Sequence, residues 1–405
     1  MQFIPLKISG LESSFQLGLG FQIQDYISVL NAFPSKSSLI SYEFLKTIED
    51  FPPNGLRPFY AALYDERHEV IGFFLFQIKY FKAHQSIKFE QDEDLFCRIH
   101  RRMRSIVAGL VEFNTLVCGN LLLTGPYGYL IQNKFKSHES LIYQFVIEES
   151  QGWLRASGYD CNVILVKDFY STQKILDEST FHSFSIQPNM ILHLKEDWHE
   201  FSDYMNALHS KYRIRAKRAF KAAEPVVKKE LSSEEVTELN DDLYALYKQT
   251  ATHAEFNLLD LHANYFKELK IKLGDRLHFF SYVIEGKLNA FFTIIDDGTD
   301  AEAHFLGINE ELNRKHQLYL NILFDIIRYS ISRKKGRIRF SRTAIEIKSS
   351  VGAKPFAMTC YIKHRHVINN TFVPYVLDFL NQKQNFIIRH PFKVPEEVSL
   401  DLVNN

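Results

Sequence analysis

LHFFSYVIEGKLNAFFTIID, residues 277–296, decides the fold class. Two runs of aromatic and β-branched residues flank the polar Glu285-Gly286-Lys287. That pattern reads as two antiparallel strands joined by a tight turn. An earlier stretch repeats it: RPFYAALYD (57–65), a polar ERHE, then VIGFFLFQIKYF (70–81). Val70-Ile71-Gly72-Phe73-Phe74 answers Leu288-Asn289-Ala290-Phe291-Phe292, each just past a charged turn. A small residue before two phenylalanines is a weak trace alone. It gains weight because the flanking elements also recur in order.

In the first half, helical periodicity covers Ile40–Asp50, 92–112 with a basic face at Arg98, Arg101, Arg102 and Arg104, Ser140–Ala156 and Thr172–Glu178. Strands are expected in NTLVCGNLLLTG (114–125), CNVILVKDF (161–169) and MILHLK (190–195). In the second half, helices are expected at Ser233–Gln249, Ala263–Lys272, Gln317–Arg333 and Ala344–Ser350. Strands follow the hairpin at Ala301–Ile308, GRIRFS (336–341) and FAMTCYIKH (356–364). The fold class is α+β. Each of two domains, 1–195 and 196–405, is a mixed, mostly antiparallel sheet flanked by helices. No Gly/Ser linker separates them, so rigid packing is expected, and the end VSLDLVNN reads as a frayed tail.

At 405 residues, two domains is the natural size. Lys+Arg and Asp+Glu both number 48, so no global field steers the protein to DNA or membrane. Cys97, Cys118, Cys161 and Cys360 form no CxxC or Cys/His spacing, so reduced thiols in a cytoplasmic protein are expected, without metal. MQFIPLKISG lacks the pattern of a signal peptide. The uncharged stretch 113–133 carries too many polar and glycine residues for a membrane span, which leaves peripheral contact open.

Three features can carry chemistry. The stretch 202–223 reads as a helix with Lys211, Arg213, Arg215, Lys217, Arg218 and Lys221 and no acid among them. Like charges three and four apart repel, so an anionic partner is implied, unless acids such as Glu224 or Glu230 bridge to them. The stretch RFSRTAIEIKSSVG (339–352) ends a strand at Ser341 and sets Arg342 at its mouth, with Lys348 beyond. Cations there can hold phosphate or a developing oxyanion. Glu302 and His304, two apart on a strand, share a face and supply a candidate general base. Tyr361 is a weaker acid candidate. Gly119, Gly125 and Gly128 are spaced too loosely for a dinucleotide fingerprint and would at most shape an acceptor groove.

The pattern strand–Arg342–five residues–Lys348–three residues–Gly352 resembles the FemAB/BioF-like acyltransferases, as does Leu208, Lys211, Arg213 in a linker helix of the type Leu-x-x-Lys-x-Arg. The resemblance implies tandem GNAT domains, with a degenerate acceptor side in the first and a catalytic donor side in the second. It implies that Lys348 lies beside the reacting centre and stabilises charge, with a lesser role for Arg342. Thr343 stands where the family often has glycine, and Ile347 where it often has an aromatic residue. Acetyltransferases of this fold also grip the pyrophosphate of CoA with a glycine-rich loop. Here the matching segment, NEELNRKH (309–316), has no glycine and reads as a polar loop. Asn313, Arg314, Lys315 and His316 would bind phosphate through side chains instead. The expected function is N-acyl transfer from an acyl-CoA-type donor to an amine: a cell-envelope precursor, an amino lipid or a small amine. No permanently bound cofactor is expected. The alternatives are a Fem-like transferase using aminoacyl-tRNA, to which Arg213 and Arg215 would contribute, and a non-catalytic tandem GNAT scaffold.

Overall fold

The computed structural model describes residues 1–8, 10–11, 13–34, 37–82, 112–253, 259–380 and 386–393. The basic helix expected before residue 112, Cys97 and the tail VSLDLVNN lie outside the described residues.

The first half contributes β1 (Gln2–Lys7), β2 (Ser14–Gly20), β3 (Leu56–Tyr64), β4 (Val70–Lys82), β5 (Glu112–Cys118), β6 (Tyr129–Ile131), β7 (Val163–Tyr170) and β8 (His182–His193). The second contributes β9 (Val227–Leu231), β10 (Leu277–Ile284), β11 (Lys287–Asp297), β12 (Asp300–Ile308), β13 (Arg337–Arg339) and β14 (Lys354–His364). The helices that matter below are α1 (Tyr42–Asp50), α2 (Glu139–Ala156), α3 (Ser210–Ala222), α4 (Asn240–His253), α5 (Tyr265–Leu273), α6 (Glu310–His316), α7 (Leu318–Ser332), α8 (Ile345–Ser350) and α9 (Val367–Leu380).

Both hairpins form. In the second, Ile284 pairs with Lys287 across Glu285 and Gly286, which both take positive φ, 50° and 75°. Positive φ at both central positions gives the turn whose twist matches the strands it joins. The paired phenylalanines then face opposite sides of the sheet. Phe74 enters the core of the first half and Phe292 that of the second. Phe73 and Phe291 meet in a third cluster built from both halves. The repeat seen in sequence is thus a repeat in packing.

All strands but one run in a single order, β1-β2-β3-β4-β5-β7-β14-β8-β13-β12-β11-β10-β9, with β6 on β4. Neighbours are antiparallel except β5 with β7 and β12 with β13. The strands at the centre are exchanged. β8 of the first half pairs with β13, and β14 of the second pairs with β7. Each half is completed by the other's last strand, so the sheet runs unbroken across the chain.

Several elements differ from the sequence reading. The segment 172–178 is not helical, because the Asp177 carboxylate accepts from the Ser179 backbone N–H at 2.9 Å and ties a local turn. The strand expected over 114–125 stops at Cys118, where Gly119 turns at φ 131°. The helix expected over 202–223 breaks at Leu208, which is extended and bridges to Phe392. The polar loop expected at 309–316 is helix α6. Asn309 caps it by accepting from Glu311 and Leu312, with two acids in its first turn and Arg314, Lys315 and His316 in its last. That charge order suits the helix dipole. The strands β1, β2 and β9 and helix α9 were not expected.

Candidate active site

The site arises where two parallel strands part. β12 pairs with β13 through Asp300–Arg337, Ala301–Ile338 and Glu302–Arg339, and no further. β12 continues to Ile308, while the chain after Arg339 bends away through Ser341, Thr343 and Ala344, at φ 58°, 67° and 46°. Three non-glycine residues in the left-handed region within four positions are costly, and such strain gathers at functional sites. Thr343 occupies the position where the resemblance expects glycine, and it takes the conformation that glycine adopts freely.

Between the parted strands lies a cavity of about 650 Å³. Its walls belong to both faces of the sheet. Leu320 and Leu323 of α7 join Phe292, Ala303 and Leu306 on one face, while Tyr247, Thr250 and Ala251 of α4 join His304 and Phe305 on the other. A bulge in β12 puts His304 and Phe305 opposite the lone Thr293 of β11. Thr293 Oγ1 fills the irregularity, accepting from the Phe305 N–H and donating to the Phe305 carbonyl, both at 3.0 Å. The bulge re-aims His304 at the opening.

His304 Nε2 lies 2.8 Å from the Tyr265 hydroxyl, and its Nδ1 is buried without a partner. Burial lowers its pKa to about 3, so the ring is uncharged at neutral pH. Glu302 sits behind the opening rather than in its wall. Burial raises its pKa to about 8, against the pull of Arg339, whose Nη1 is 3.7 Å from Oε2. Oε2 accepts no hydrogen bond. A carboxyl whose folded pKa lies above its ordinary 4.5 binds more protons folded than unfolded between those values. Stability therefore falls as pH rises from about 4.5 to about 8. Glu302→Gln should remove that slope, which amounts to a few kcal/mol at about 1.4 kcal/mol for each tenfold change in proton affinity. Melting temperatures of both proteins across that window would test this. Parallel pH profiles would refute it.

Lys348 lies on α8, buried, in the cavity wall. Its ammonium donates to the carbonyls of Phe340 (2.6 Å), Arg342 (2.6 Å) and, more weakly, Ser341 (3.4 Å). Burial lowers its pKa to about 7, and the Glu302 carboxylate pulls the other way. The carbonyls also favour the charged form, because a neutral amine has too few hydrogens for all three. Its hydrogens are thus committed to the bend. These contacts give Lys348 a positioning role at the edge of the cavity.

Arg342 lines the cavity and pairs with Asp168 of the first half, while its Nε is buried without a partner. Asp168 is fully buried and also pairs with Lys167. Burial alone would raise its pKa, but Lys167 and Arg342 together hold it below the usual range. Lys167 further donates to the carbonyls of Asn120 (2.9 Å) and Leu123 (2.7 Å). Sequence reading missed this pair, although KD inside the apolar run CNVILVKDF was a visible signal.

Asp168 marks the matching bend of the first half. It takes φ 66° two residues past the last parallel pair, Cys118–Val166, as Ser341 does past Glu302–Arg339. There the bend is filled by the loop carrying Gly119, Gly125 and Gly128. A Cβ on Gly128 would meet Gly119 Cα at 2.7 Å. These glycines serve close packing at that strand end.

The other anticipated residues divide. Arg215 of α3, Arg314 and Asn313 line the cavity beside Gln317 and Tyr319, where α7 begins. Asn313 bridges the joint, accepting from the Tyr319 N–H at 3.0 Å. Arg215 and Arg314 are exposed and make no ion pair among the described residues. Lys315 is exposed beside them but outside the wall. His316 is buried, and its Nδ1 meets the Ala222 carbonyl at 2.8 Å, docking α6 on α3. Arg213 donates to the Leu208 carbonyl at 3.1 Å and stays outside the cavity. Tyr361 is buried in the core of the first half, with its hydroxyl 3.4 Å from the Gln173 carbonyl. Among the described residues no group of His, Cys, Asp and Glu could hold a metal, and no helix is long and apolar enough to cross a membrane. Cys118, Cys161 and Cys360 are buried free thiols.

No family model and no curated protein matches the chain. Among solved structures it is similar to FemX at 10% identity, with a TM-score of 0.52, over 89% of this chain and 100% of that one. Looser likenesses include a tandem GNAT protein from the clavulanic acid biosynthesis pathway (TM-score 0.46, 10% identity, 90% of this chain and 98% of that one). Another is Saccharomyces cerevisiae N-myristoyltransferase (TM-score 0.47, 10% identity, 90% and 83%). Two similar halves around one unbroken sheet, aligned over the whole of FemX, give this chain the fold of FemX.

Proposed function

We propose that the protein is an N-acyltransferase using a phosphate-bearing, acyl-CoA-type donor. The observation that carries this reading is the cavity between β12 and β13, which joins the two faces of the sheet and has uncommitted cations at one end. The donor phosphates would lie at the start of α7, where Arg215 and Arg314 favour an anion. The apolar wall of Leu320, Leu323 and Ala303 suits the uncharged arm of the donor. The carbonyl would then reach the bulge at His304.

The amine would approach from the α4 side. Its nitrogen forms the new bond to the carbonyl carbon, the carbon–sulfur bond breaks, and the amine proton ends on the departing thiolate. His304, uncharged and weakly basic, offers an unpartnered Nδ1 through which that proton can pass. Holding both reactants in one passage supplies much of the acceleration.

Calorimetric titration with CoA and a series of acyl-CoAs tests the reading. Arg314→Gln is expected to weaken binding by roughly tenfold or more, as for loss of a charge-assisted hydrogen bond. Failure of the unmodified protein to bind any of these ligands would end it.

A further inference from the structure

Helix α3 presents a face that nothing in the described chain neutralises. Lys211, Arg215, Lys217, Arg218 and Lys221 are exposed, and none makes an ion pair or hydrogen bond with a described residue. The acids that could have bridged to them, Glu224 and Glu230 among them, do not. At about 100° per residue, these five side chains and Ile214 fall within an arc of about 160°. The opposite arc holds the buried Ala216 and Ala219, so the charged face has one possible orientation, outward.

Apolar side chains are set among these charges. Ile214 is 51% exposed in the middle of the arc. Phe386 and Ile387, 40% and 57% exposed, line a hollow with Arg215, Ile347 and Glu346, whose carboxylate is taken up by Arg389. The segment that bears them is anchored close to α3. The Pro391 carbonyl accepts from the His209 N–H at 2.7 Å, and Phe392 bridges to Leu208. Arg215 and Ile347 also line the mouth of the large cavity.

A polyanion such as RNA would use the cations and gain nothing from isoleucine and phenylalanine held in water between them. A surface that is anionic and apolar within a few ångströms uses both, and the headgroup boundary of an acidic bilayer is such a surface. With 48 positive and 48 negative side chains overall, the attraction is local, which fixes the docked orientation. We propose that α3 together with Phe386 and Ile387 is a docking surface for an anionic lipid bilayer, which holds the cavity mouth at the headgroups. This does not depend on the transfer chemistry.

Co-sedimentation of the full chain with vesicles tests it, comparing phosphatidylcholine alone with phosphatidylcholine containing about a third phosphatidylglycerol. Binding is expected to the acidic vesicles and not to the neutral ones. Lys217→Gln with Arg218→Gln should weaken it by roughly 25-fold, from the usual gain per basic residue near an acidic surface. Phe386→Ser with Ile387→Ser should weaken it as well, and that loss should persist in salt that screens the charges. All four residues are exposed, so unchanged melting temperatures verify folding. No partition onto acidic vesicles, equal partition onto neutral ones, or indifference to both double variants would overturn the proposal. So would tight binding of a homopolymeric RNA by a protein that ignores the vesicles.

Discussion

Lys348→Met is expected to slow the proposed transfer, with a fall of roughly 10²-fold or more in kcat/KM, and to destabilise the second half by a few kcal/mol. Both effects come from one contact set. The ammonium gathers the carbonyls of Phe340, Ser341 and Arg342; that of Ser341 also accepts from the Met190 N–H at 3.1 Å, but those of Phe340 and Arg342 have no other donor among the described residues. An unsatisfied buried acceptor costs about 1–3 kcal/mol. The same contacts hold Ser341 at φ 58° and start the bend that opens the strands. Without them the bend can relax toward ordinary backbone and narrow the cavity. Lys348→Arg should fail to rescue, because a planar guanidinium cannot direct hydrogens to three converging carbonyls as an ammonium does. Denaturant melts and steady-state rates on the purified variants would check this. A methionine variant with wild-type stability and rate would remove Lys348 from the account altogether. Stability lost with kcat/KM intact would assign it to folding alone.

Asp168→Ala is expected to cost about 3–5 kcal/mol, as is usual when buried charges are left without their partner. Asp168 is fully buried between Lys167 and Arg342, whose side chains are 7% and 21% exposed. Removing its carboxylate leaves two cations facing each other where the halves join. For a chain of this size the melting temperature should fall by roughly 5 °C. The double variant Asp168→Ala/Arg342→Gln should recover part of that loss, since only Lys167 is then left without its carboxylate, and the cycle with the two single variants would give the coupling directly. The pair also ties the bend of one half to that of the other, so donor binding in the cavity should weaken as well. Strict additivity of the two single changes, or an unaltered melting temperature, would show that the ion pair is not what joins these bends.

The two hairpins were legible because their signals are local. Strand residues flank a turn of one type, and the paired phenylalanines report which faces are buried. Helix α7 was legible for the same reason, through its apolar periodicity. The helical state of NEELNRKH was also written in the sequence, as an asparagine cap, acids first and bases last. The comparison with a glycine-rich loop obscured it. Arg342 was found at a strand mouth with Lys348 beyond it, Arg215 on the basic helix, and Arg314 in the segment matching a phosphate loop. Their division into free and committed groups was not, because that depends on which carbonyls and carboxylates lie opposite. Thr293, Tyr265 and Asp168 carry no motif. Each meets a partner 12, 39 or 174 residues away.

By itself, then, the sequence determined an α+β chain of two similar halves, with a cluster of cations near the end of the second. Those features follow from short-range periodicity and turn chemistry, which each segment carries wherever it sits. The exchange of β8 and β14, the opening between β12 and β13, and the filling of its counterpart by the loop carrying Gly119, Gly125 and Gly128 were decided only in three dimensions. They depend on backbone pairing between distant strands, and a backbone amide or carbonyl looks the same at every position of the chain.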